Sequence, residues 1–518
     1  MILITSLPRA RDARATLAFS FGVFDKAAGI ITRDHYPALS RCGATDTAYS
    51  LRLKSVDKGD SCQGAVLEIE GHCPGAGGEG PNFYKVLTLC APAGAGNVPT
   101  LEMMRHMHRT AVLILISAAA AAANAPVVLQ DFGIGNLDGG NWLYAGLVMD
   151  NAGNLYGAAY YGGFYNHGVV YKLSPTGTGG WKETVLYTFK GTPRGQDGAG
   201  PYSAPTLDSA GNLYGTTAYG GVAAKPCGSS GCGVVYKLTP SGSTWQETVL
   251  YRFTATPDGF RPYASVDIDA AGNLYGITSG GGADNLGTMF ELSPNGSGGW
   301  TETVIHSFAG ADGSNPEGMP VLDAAGSLWG TTYAGGTHNK GVVYKLSPQA
   351  GGGWSIHVLY SFKGGTDGAN PFAGVTMGPD GSLFGTTSVG GTALYGVAYE
   401  LSRHASGSWT ETILHTFLGP GAGDGANPNG LIFDSHGNLW GTSVAGGTDN
   451  PGTIFEISRA GNGAWQEQVL YSFTAGLDGA YPSSSLIMDQ LGNLYGTTLY
   501  GGPSGSIDVG GVVFEFTP

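Results

Sequence analysis

The sequence predicts an all-β protein, a seven-bladed β-propeller with four-stranded blades. The heptapeptide Gly-Asn-Leu-Tyr-Gly-Thr-Thr at 211–217 recurs in close copies at intervals of 54 to 61 residues, as in an array of one repeated unit. Each unit has four short apolar runs typical of β-strands, and the repeats lack long apolar patterns of helical period. The seven copies begin at Gly153, Gly211, Gly272, Gly326, Gly381, Gly437 and Gly492.

The net charge of the repeats limits the classes of molecule that the protein can bind. Residues 126–518 hold 13 lysine and arginine residues against 29 aspartate and glutamate residues, a net charge of −16. Such a surface repels nucleic-acid phosphate and anionic membranes. We therefore predict no nucleic-acid partner.

The first 125 residues contain no copy of the repeat. Residues 103–125 read as a Sec-type signal peptide, with a basic start, the apolar run 111–116 and a small-x-small end at 123–125. Because signal peptides are N-terminal, we expect translation to start at one of the methionines at its beginning. Residues 1–102 would then be a poorly ordered upstream extension. The alternative is a small N-terminal domain joined by an internal apolar segment.

The propeller occupies residues 126–518, and its second unit shows how a blade is built. Its predicted strands are Ala204–Asp208, Asn212–Thr217, Gly233–Leu238 and Glu247–Phe253. An Asp-x-x-Gly-Asn turn joins the first two, where the aspartate caps the turn and glycine takes a positive φ. A tryptophan begins the fourth strand of six units, and we predict that it packs the blades. These tryptophans are Trp181, Trp245, Trp300, Trp354, Trp409 and Trp465.

The count of strands predicts how the ring closes. The third strand occurs seven times, but the fourth follows it only six times. A matching segment, Val127–Phe132, stands at the start of the repeats. We expect it to form the outer strand of the last blade, which removes the open edges of the array.

The motifs Gly-Asn-Leu-Tyr-Gly-Thr-Thr, Gly-Gly and Gly-Val-Val-Tyr-Lys-Leu-Ser-Pro together resemble the GloVer tandem repeat of secreted bacterial proteins. The resemblance covers residues 127–518. It implies an extracellular or surface protein, anchored at the C-terminus in some members, and a family without established catalytic residues. No C-terminal anchor is visible before Pro518, so we expect release, or retention on the cell by other means.

One face of the propeller carries the candidate binding residues. Chain direction places the Gly-Gly loops there, together with the links, the Asp-Gly-x-x-Pro segments that lead to the next unit. Tyr161, Tyr219 and Tyr500 directly precede a glycine pair in units one, two and seven, which adjoin in a closed ring. Aromatic side chains of this kind stack on sugars or grip peptides, or they pack the loops. Nearby loops add Trp142, Phe164, Tyr165 and His167.

Two other patterns have structural interpretations. Cys227 and Cys232 flank four residues in the longest loop, which suits a local disulfide in an exported protein better than a redox or metal pair. Each link has one Asp-Gly pair, whereas a calcium loop concentrates several oxygen ligands, so we predict turns. We predict no metal, no cofactor and no catalytic constellation.

The sequence thus predicts a secreted, monomeric binding or surface-interaction module without a membrane span in its mature form. Its expected partner is carbohydrate, another extracellular polymer or a cell-surface component. The alternative is a propeller enzyme, a hydrolase or lyase that acts on polysaccharide through carboxylates in the central channel.

Overall fold

The computed structural model describes residues 125–518, except 134–139, 178, 193–196 and 503–509, and the backbone of five strands before them. The chain divides into two compact units, Met1–Ala123 and Asn124–Pro518. Nearly all of the predicted signal peptide, 103–125, lies outside the described residues. In the described part of the chain, no helix is both long and apolar enough to cross a bilayer.

The first unit contains a three-stranded antiparallel sheet. Its strands Ala48–Asp57, Gln63–His72 and Asn82–Ala91 pair in chain order. A separate short pair joins Ile2–Leu3 to Gly22–Val23.

The second unit confirms the seven-bladed, all-β prediction. Each blade is an antiparallel sheet whose four strands pair in order. From blade 1 to blade 7, the first strands are Leu147–Met149, Thr206–Leu207, Asp267–Ile268, Val321–Leu322, Thr376–Met377, Ile432–Phe433 and Ile487–Met488. The second strands are Leu155–Ala159, Leu213–Thr217, Leu274–Thr278, Leu328–Thr332, Leu383–Thr387, Leu439–Gly446 and Leu494–Tyr500.

The third strands are Val169–Pro175, Val234–Ser241, Thr288–Pro294, Val342–Pro348, Val397–Arg403, Thr453–Arg459 and Val512–Phe516. The fourth strands of blades 1 to 6 are Trp181–Thr188, Thr244–Arg252, Trp300–Ser307, Trp354–Ser361, Trp409–Thr416 and Trp465–Ser472. Short link strands are Gly140–Asn141, Gly198–Ala199, Gly425–Pro428 and Ala480–Pro482, and two more, Tyr161–Gly162 and Tyr219–Gly220, follow second strands. Short 3-10 helices are Gly228–Ser230, Gly365–Asp367 and Pro420–Ala422.

The fourth position of blade 7 is filled from the start of the repeats. Strand Val127–Asp131 pairs antiparallel with Val512–Phe516. Blade 7 also contacts blade 1 directly, because the Thr497 hydroxyl donates to the Ala145 carbonyl at 2.9 Å. The first and last blades are therefore neighbours.

The repeated heptapeptide builds the blade interior. A Cβ on Gly215 would lie 2.4 Å from the Tyr236 hydroxyl, so glycine leaves room for the ring of the third strand. The Thr216 hydroxyl donates to the Ala264 carbonyl of the next blade at 2.8 Å. The Thr217 hydroxyl donates to the Tyr219 carbonyl at 2.7 Å. The motif thus serves packing within a blade and contact between blades.

The Asp-x-x-Gly-Asn turn closes through its aspartate. The Asp208 carboxylate accepts from the backbone N–H groups of Ala210 at 2.9 Å and Asn212 at 2.8 Å. It also accepts from the Asn212 amide at 2.7 Å and the Tyr214 hydroxyl at 3.2 Å. Gly211 has a φ of 83°, the left-handed conformation that the turn requires.

The first strand of blade 2 is shorter than predicted, two residues instead of five. The segments before the first strands bond to the neighbouring blade rather than extend their own sheet. In blade 3, for example, the Pro262 and Ala264 carbonyls both accept from Thr216 of blade 2. These hydrogen bonds hold adjacent blades together near their innermost strands.

The tryptophans of the fourth strands pack against the preceding blade. Trp245 lies edge-on to Tyr156 at 6.4 Å between ring centroids, and Trp409 to Trp329 at 6.1 Å. These contacts give the tryptophans a structural role.

Candidate ligand-binding site

In each unit, the link places one residue shortly before the first strand of the blade, which is its innermost strand. It follows the last residue of the link, which is proline in units two to seven and Leu143 in unit one. Units one to three have tyrosine at this position, and unit four has glutamate. From unit one to unit seven, the residues are Tyr144, Tyr202, Tyr263, Glu317, Phe372, Asn429 and Ser483.

A cavity of about 300 Å³ lies where the first four of these residues meet. Six aromatic side chains and one carboxyl line it. They are Trp142, Tyr144, Tyr160, Tyr161, Tyr202, Tyr263 and Glu317. Sites for small molecules commonly combine apolar walls with a few polar groups in this way.

The tyrosines of the cavity hold one another in place. Tyr144 stacks on Tyr202, with 4.6 Å between centroids and 15° between ring planes. Tyr202 contacts Tyr263 at 5.0 Å, and Tyr160 lies edge-on to Tyr144 at 5.5 Å. Because each ring is fixed by its neighbours, the wall is largely formed before any ligand binds.

The aromatic wall continues into blade 7. Trp142 lies edge-on to Tyr161 at 5.1 Å and to Tyr500 at 5.8 Å. Tyr500 in turn contacts Tyr481 at 5.9 Å. Two of the predicted residues, Trp142 and Tyr161, therefore line the cavity, and Tyr500 supports Trp142.

The hydroxyl groups of Tyr160 and Tyr263 stay protonated at neutral pH. Burial, followed by the neighbouring Tyr219, raises the pKa of Tyr263 to about 12. Burial and Tyr219 also raise the pKa of Tyr160. Tyr219, a predicted residue, thus lies beside two of the lining tyrosines, and these can act as neutral hydrogen-bonding groups.

The other three predicted residues lie away from the cavity. Phe164 is 77% exposed, and its ring contacts Tyr165 at 5.0 Å between centroids. The His167 ring lies against the link to blade 2, where a Cβ on Gly191 would be 2.7 Å from its Cδ2 atom. None of the three lines the cavity.

Five lining residues were not predicted from the sequence: Tyr144, Tyr160, Tyr202, Tyr263 and Glu317. Four of them share the position after the link, and alignment of the seven links gives the signal that could have identified them.

Bulky residues adopt a left-handed backbone conformation around this site. The residue two before the shared position has a positive φ in every unit. It is glycine or asparagine, which tolerate this conformation, in four units: Gly200, Asn315, Asn370 and Asn427. In the other three it is Trp142 with φ 59°, Arg261 with φ 56° and Tyr481 with φ 56°. Such strain concentrates at functional sites, and these residues border or extend the cavity wall.

Glu317 is the one charged residue among those that line the cavity. Burial raises the pKa of its carboxyl to about 7. Among the described residues, no lysine, arginine or histidine forms an ion pair with it.

The sequence profile of the Gloeobacter/Verrucomicrobia repeat matches residues 221–419 and 395–518, more than half of the chain. The chain belongs to this repeat family. The match confirms the resemblance to the GloVer repeat. No curated protein matches the chain.

Several solved structures resemble this Gloeobacter/Verrucomicrobia repeat protein at low identity. A protein of unknown function from Dyadobacter fermentans is 11% identical, covering 76% of this chain and 100% of its own, with a TM-score of 0.38. An ancestral GH74 enzyme is 11% identical over 91% of this chain and 65% of its own, with a TM-score of 0.39. A PL25 ulvan lyase is 11% identical over 72% of this chain and 80% of its own, with a TM-score of 0.30.

One cluster in the repeat protein has the side chains of a metal site. Ligand atoms of His415, Asp424 and Glu467 lie within 4.8 Å of one another. Blades 2 and 3 place Tyr251, Asp258 and Glu302 at the equivalent positions, and the Tyr251 hydroxyl donates to Asp258 at 2.7 Å. The histidine cluster is thus a variant of a contact that recurs between blades.

The cysteine pair of the repeat protein lies in the insertion of blade 2. Cys227 and Cys232 form a disulfide with 5.2 Å between their Cα atoms. Cys232 is fully buried in the cluster that contains Phe253 and Phe290.

Proposed function

We propose that this protein is a secreted binding module that holds a carbohydrate, or part of a carbohydrate-containing extracellular polymer, in the aromatic cavity. The observation that carries the proposal is the wall of six aromatic rings, which hold one another in place around about 300 Å³.

The chemistry of the wall suits a sugar. The apolar faces of sugar rings stack on tyrosine and tryptophan, and neutral tyrosine hydroxyls can exchange hydrogen bonds with sugar hydroxyls. Secretion through the signal peptide at 103–125 would bring the module to such polymers. The net charge of −16 in the repeats opposes strongly anionic polymers.

The runner-up, a polysaccharide hydrolase or lyase, has less support. Most glycoside hydrolases use two carboxyl groups that flank the scissile bond. Glu317 is the one carboxyl among the lining residues, which favours binding over hydrolysis.

A glycan array probed with the full chain tests the proposal. Tyr160→Ala should weaken binding to the best glycan by about tenfold or more, since it removes a lining ring. Tyr333→Ala is the matched control, because Tyr333 holds the same repeat position in blade 4 and does not line the cavity. Equal binding by both variants would contradict the proposal, and product analysis of the bound glycan detects turnover.

A further inference from the structure

Glu317 gives the aromatic cavity a charge preference. We propose that the cavity recognises an ammonium group, carried by an amine-bearing sugar unit whose nitrogen lies among the rings beside Glu317. The inference rests on the proposed carbohydrate binding and narrows its ligand class.

The Glu317 carboxyl lies beside the tyrosine rings of the cavity. Glu317 occupies the repeat position that holds tyrosine in the three preceding units, so it ends the row of Tyr144, Tyr202 and Tyr263. It is close enough to influence Tyr202 and Tyr263 electrostatically. A ligand held against these rings therefore lies next to the carboxyl.

This carboxyl has no cationic partner among the described residues. Ionising a partly buried carboxyl costs free energy unless an opposite charge lies close by. Its raised pKa follows from burial. A bound ammonium group would supply the missing charge.

The aromatic rings of the cavity also favour a cation. The faces of tyrosine and tryptophan attract cations through their quadrupoles, and several rings around one site form a cage for an ammonium group. The protein's own nearby cation, Arg261, instead lies over the Phe260 ring at 5.7 Å. It does not line the cavity, whose cage is open to a cation from a ligand.

The proposal implies a coupling to pH. An ammonium ligand favours the ionised carboxyl, so binding below about pH 7 releases a proton from Glu317. The titratable groups that face it are Tyr202 and Tyr263, and the groups that adjoin these two residues are Arg261, Tyr144, Tyr160 and Tyr219. Burial raises the pKa of Tyr202 and Tyr263, so neither ionises in this range. Affinity for a cation of constant charge should therefore rise about tenfold from pH 6 to pH 8.

Calorimetric titration of the full chain with three tetrasaccharides, of glucosamine, N-acetylglucosamine and glucose, tests the inference. At pH 6.5 we expect the glucosamine tetramer to bind about tenfold more tightly than the acetylated one. Glu317→Gln should abolish this preference. Asp284→Asn, in an exposed loop of blade 3, is the control for loss of one charge. Thermal melting establishes that both variants fold.

A fourth probe, the tetramethylammonium ion, distinguishes sugar from other ammonium compounds. Because its charge is constant, it also serves to measure how affinity changes from pH 6 to pH 8. If neutral sugars bind as tightly as the amino sugar, or Glu317→Gln keeps the preference, the inference is wrong and carbohydrate binding stands. If tetramethylammonium binds in a Glu317-dependent way but no sugar does, the ammonium preference stands and the proposed carbohydrate function is wrong. If none of the four binds, both are wrong.

Discussion

In blade 5 the ring of Phe384 lies against Gly378, so closely that a Cβ on Gly378 would be 2.8 Å from the ring atom Cε2. In the other six blades the glycine is an aspartate, and the phenylalanine is a tyrosine or tryptophan that donates to it. The two differences go together because phenylalanine has no hydrogen to donate and glycine has no carboxylate to accept one. The pair in the other blades is thus part of the blade structure.

This relationship predicts the effect of removing a turn aspartate. Asp208→Ala deprives four donors of their acceptor and should lower the free energy of unfolding by about 2 kcal/mol. Urea denaturation measures the change. Asp284→Ala, which removes an exposed loop aspartate, should leave stability nearly unchanged. Equal losses in both variants would show that the turn hydrogen bonds contribute nothing.

Two tyrosines of blade 2 should respond in opposite directions to the loss of a hydroxyl. The Tyr236 hydroxyl is buried without a hydrogen-bond partner within the described part of the chain, whereas the Tyr251 hydroxyl donates to Asp258 at 2.7 Å. Tyr236→Phe should raise the free energy of unfolding by about 1 kcal/mol, and Tyr251→Phe should lower it by about 1 to 2 kcal/mol. Thermal or urea unfolding of both variants checks this, and a loss on Tyr236→Phe would contradict it.

Backbone strain at Arg261 should be relieved by asparagine. Arg261 has a φ of 56°, and the equivalent Asn370 adopts a φ of 58° while its amide donates to the Tyr333 carbonyl at 2.9 Å. Arg261→Asn should therefore raise the free energy of unfolding by about 1 kcal/mol, as measured by urea denaturation. Asn370→Ala is the converse control and should lower it. Failure of Arg261→Asn to stabilise would mean that the arginine conformation costs little.

The stability of the propeller should fall as the pH rises from about 4.5 to 8. Burial and then a nearby aspartate raise the pKa of Glu247, Glu302 and Glu467 to about 7 and that of Glu411 to about 8. Their folded-state pKa exceeds the unfolded one, so the folded state binds more protons across this range. This stabilising contribution is complete below pH 4.5 and is lost as the pH passes through 7 to 8.

Melting temperatures at pH 5 and pH 8 measure the effect. Glu411→Gln, which cannot ionise, should reduce the difference between the two melting temperatures, whereas Asp284→Asn should not.

At the acid end of the pH range, the turn aspartates have the opposite effect, because their contribution to stability decreases as the pH falls. Hydrogen bonds at Asp208 lower the pKa of its carboxyl despite burial, so this contribution is lost as the pH falls below about 4. Greater stability at pH 8 than at pH 5 would contradict the prediction made for the four glutamates.

The sequence by itself determined the number and order of the blades and identified the segment beginning at Val127 as the one that pairs with blade 7. These features are local and repeated. Each copy of the heptapeptide places glycine where a ring must fit, and five of the seven copies place threonine where the next blade is bonded, as at Gly215 and Thr216. Such rules can be identified by comparison of the copies within one chain.

Only the tertiary structure decided which aromatic residues share a cavity. Successive members of the set Tyr144, Tyr202, Tyr263 and Glu317 are 54 to 61 residues apart in the sequence. They meet because the blades converge at their innermost strands. Phe164 lies three residues from Tyr161 yet points elsewhere, since the loop between them turns toward the outer strands. The physical reason is that a propeller brings equivalent positions of different units together, whereas neighbours along one loop can diverge.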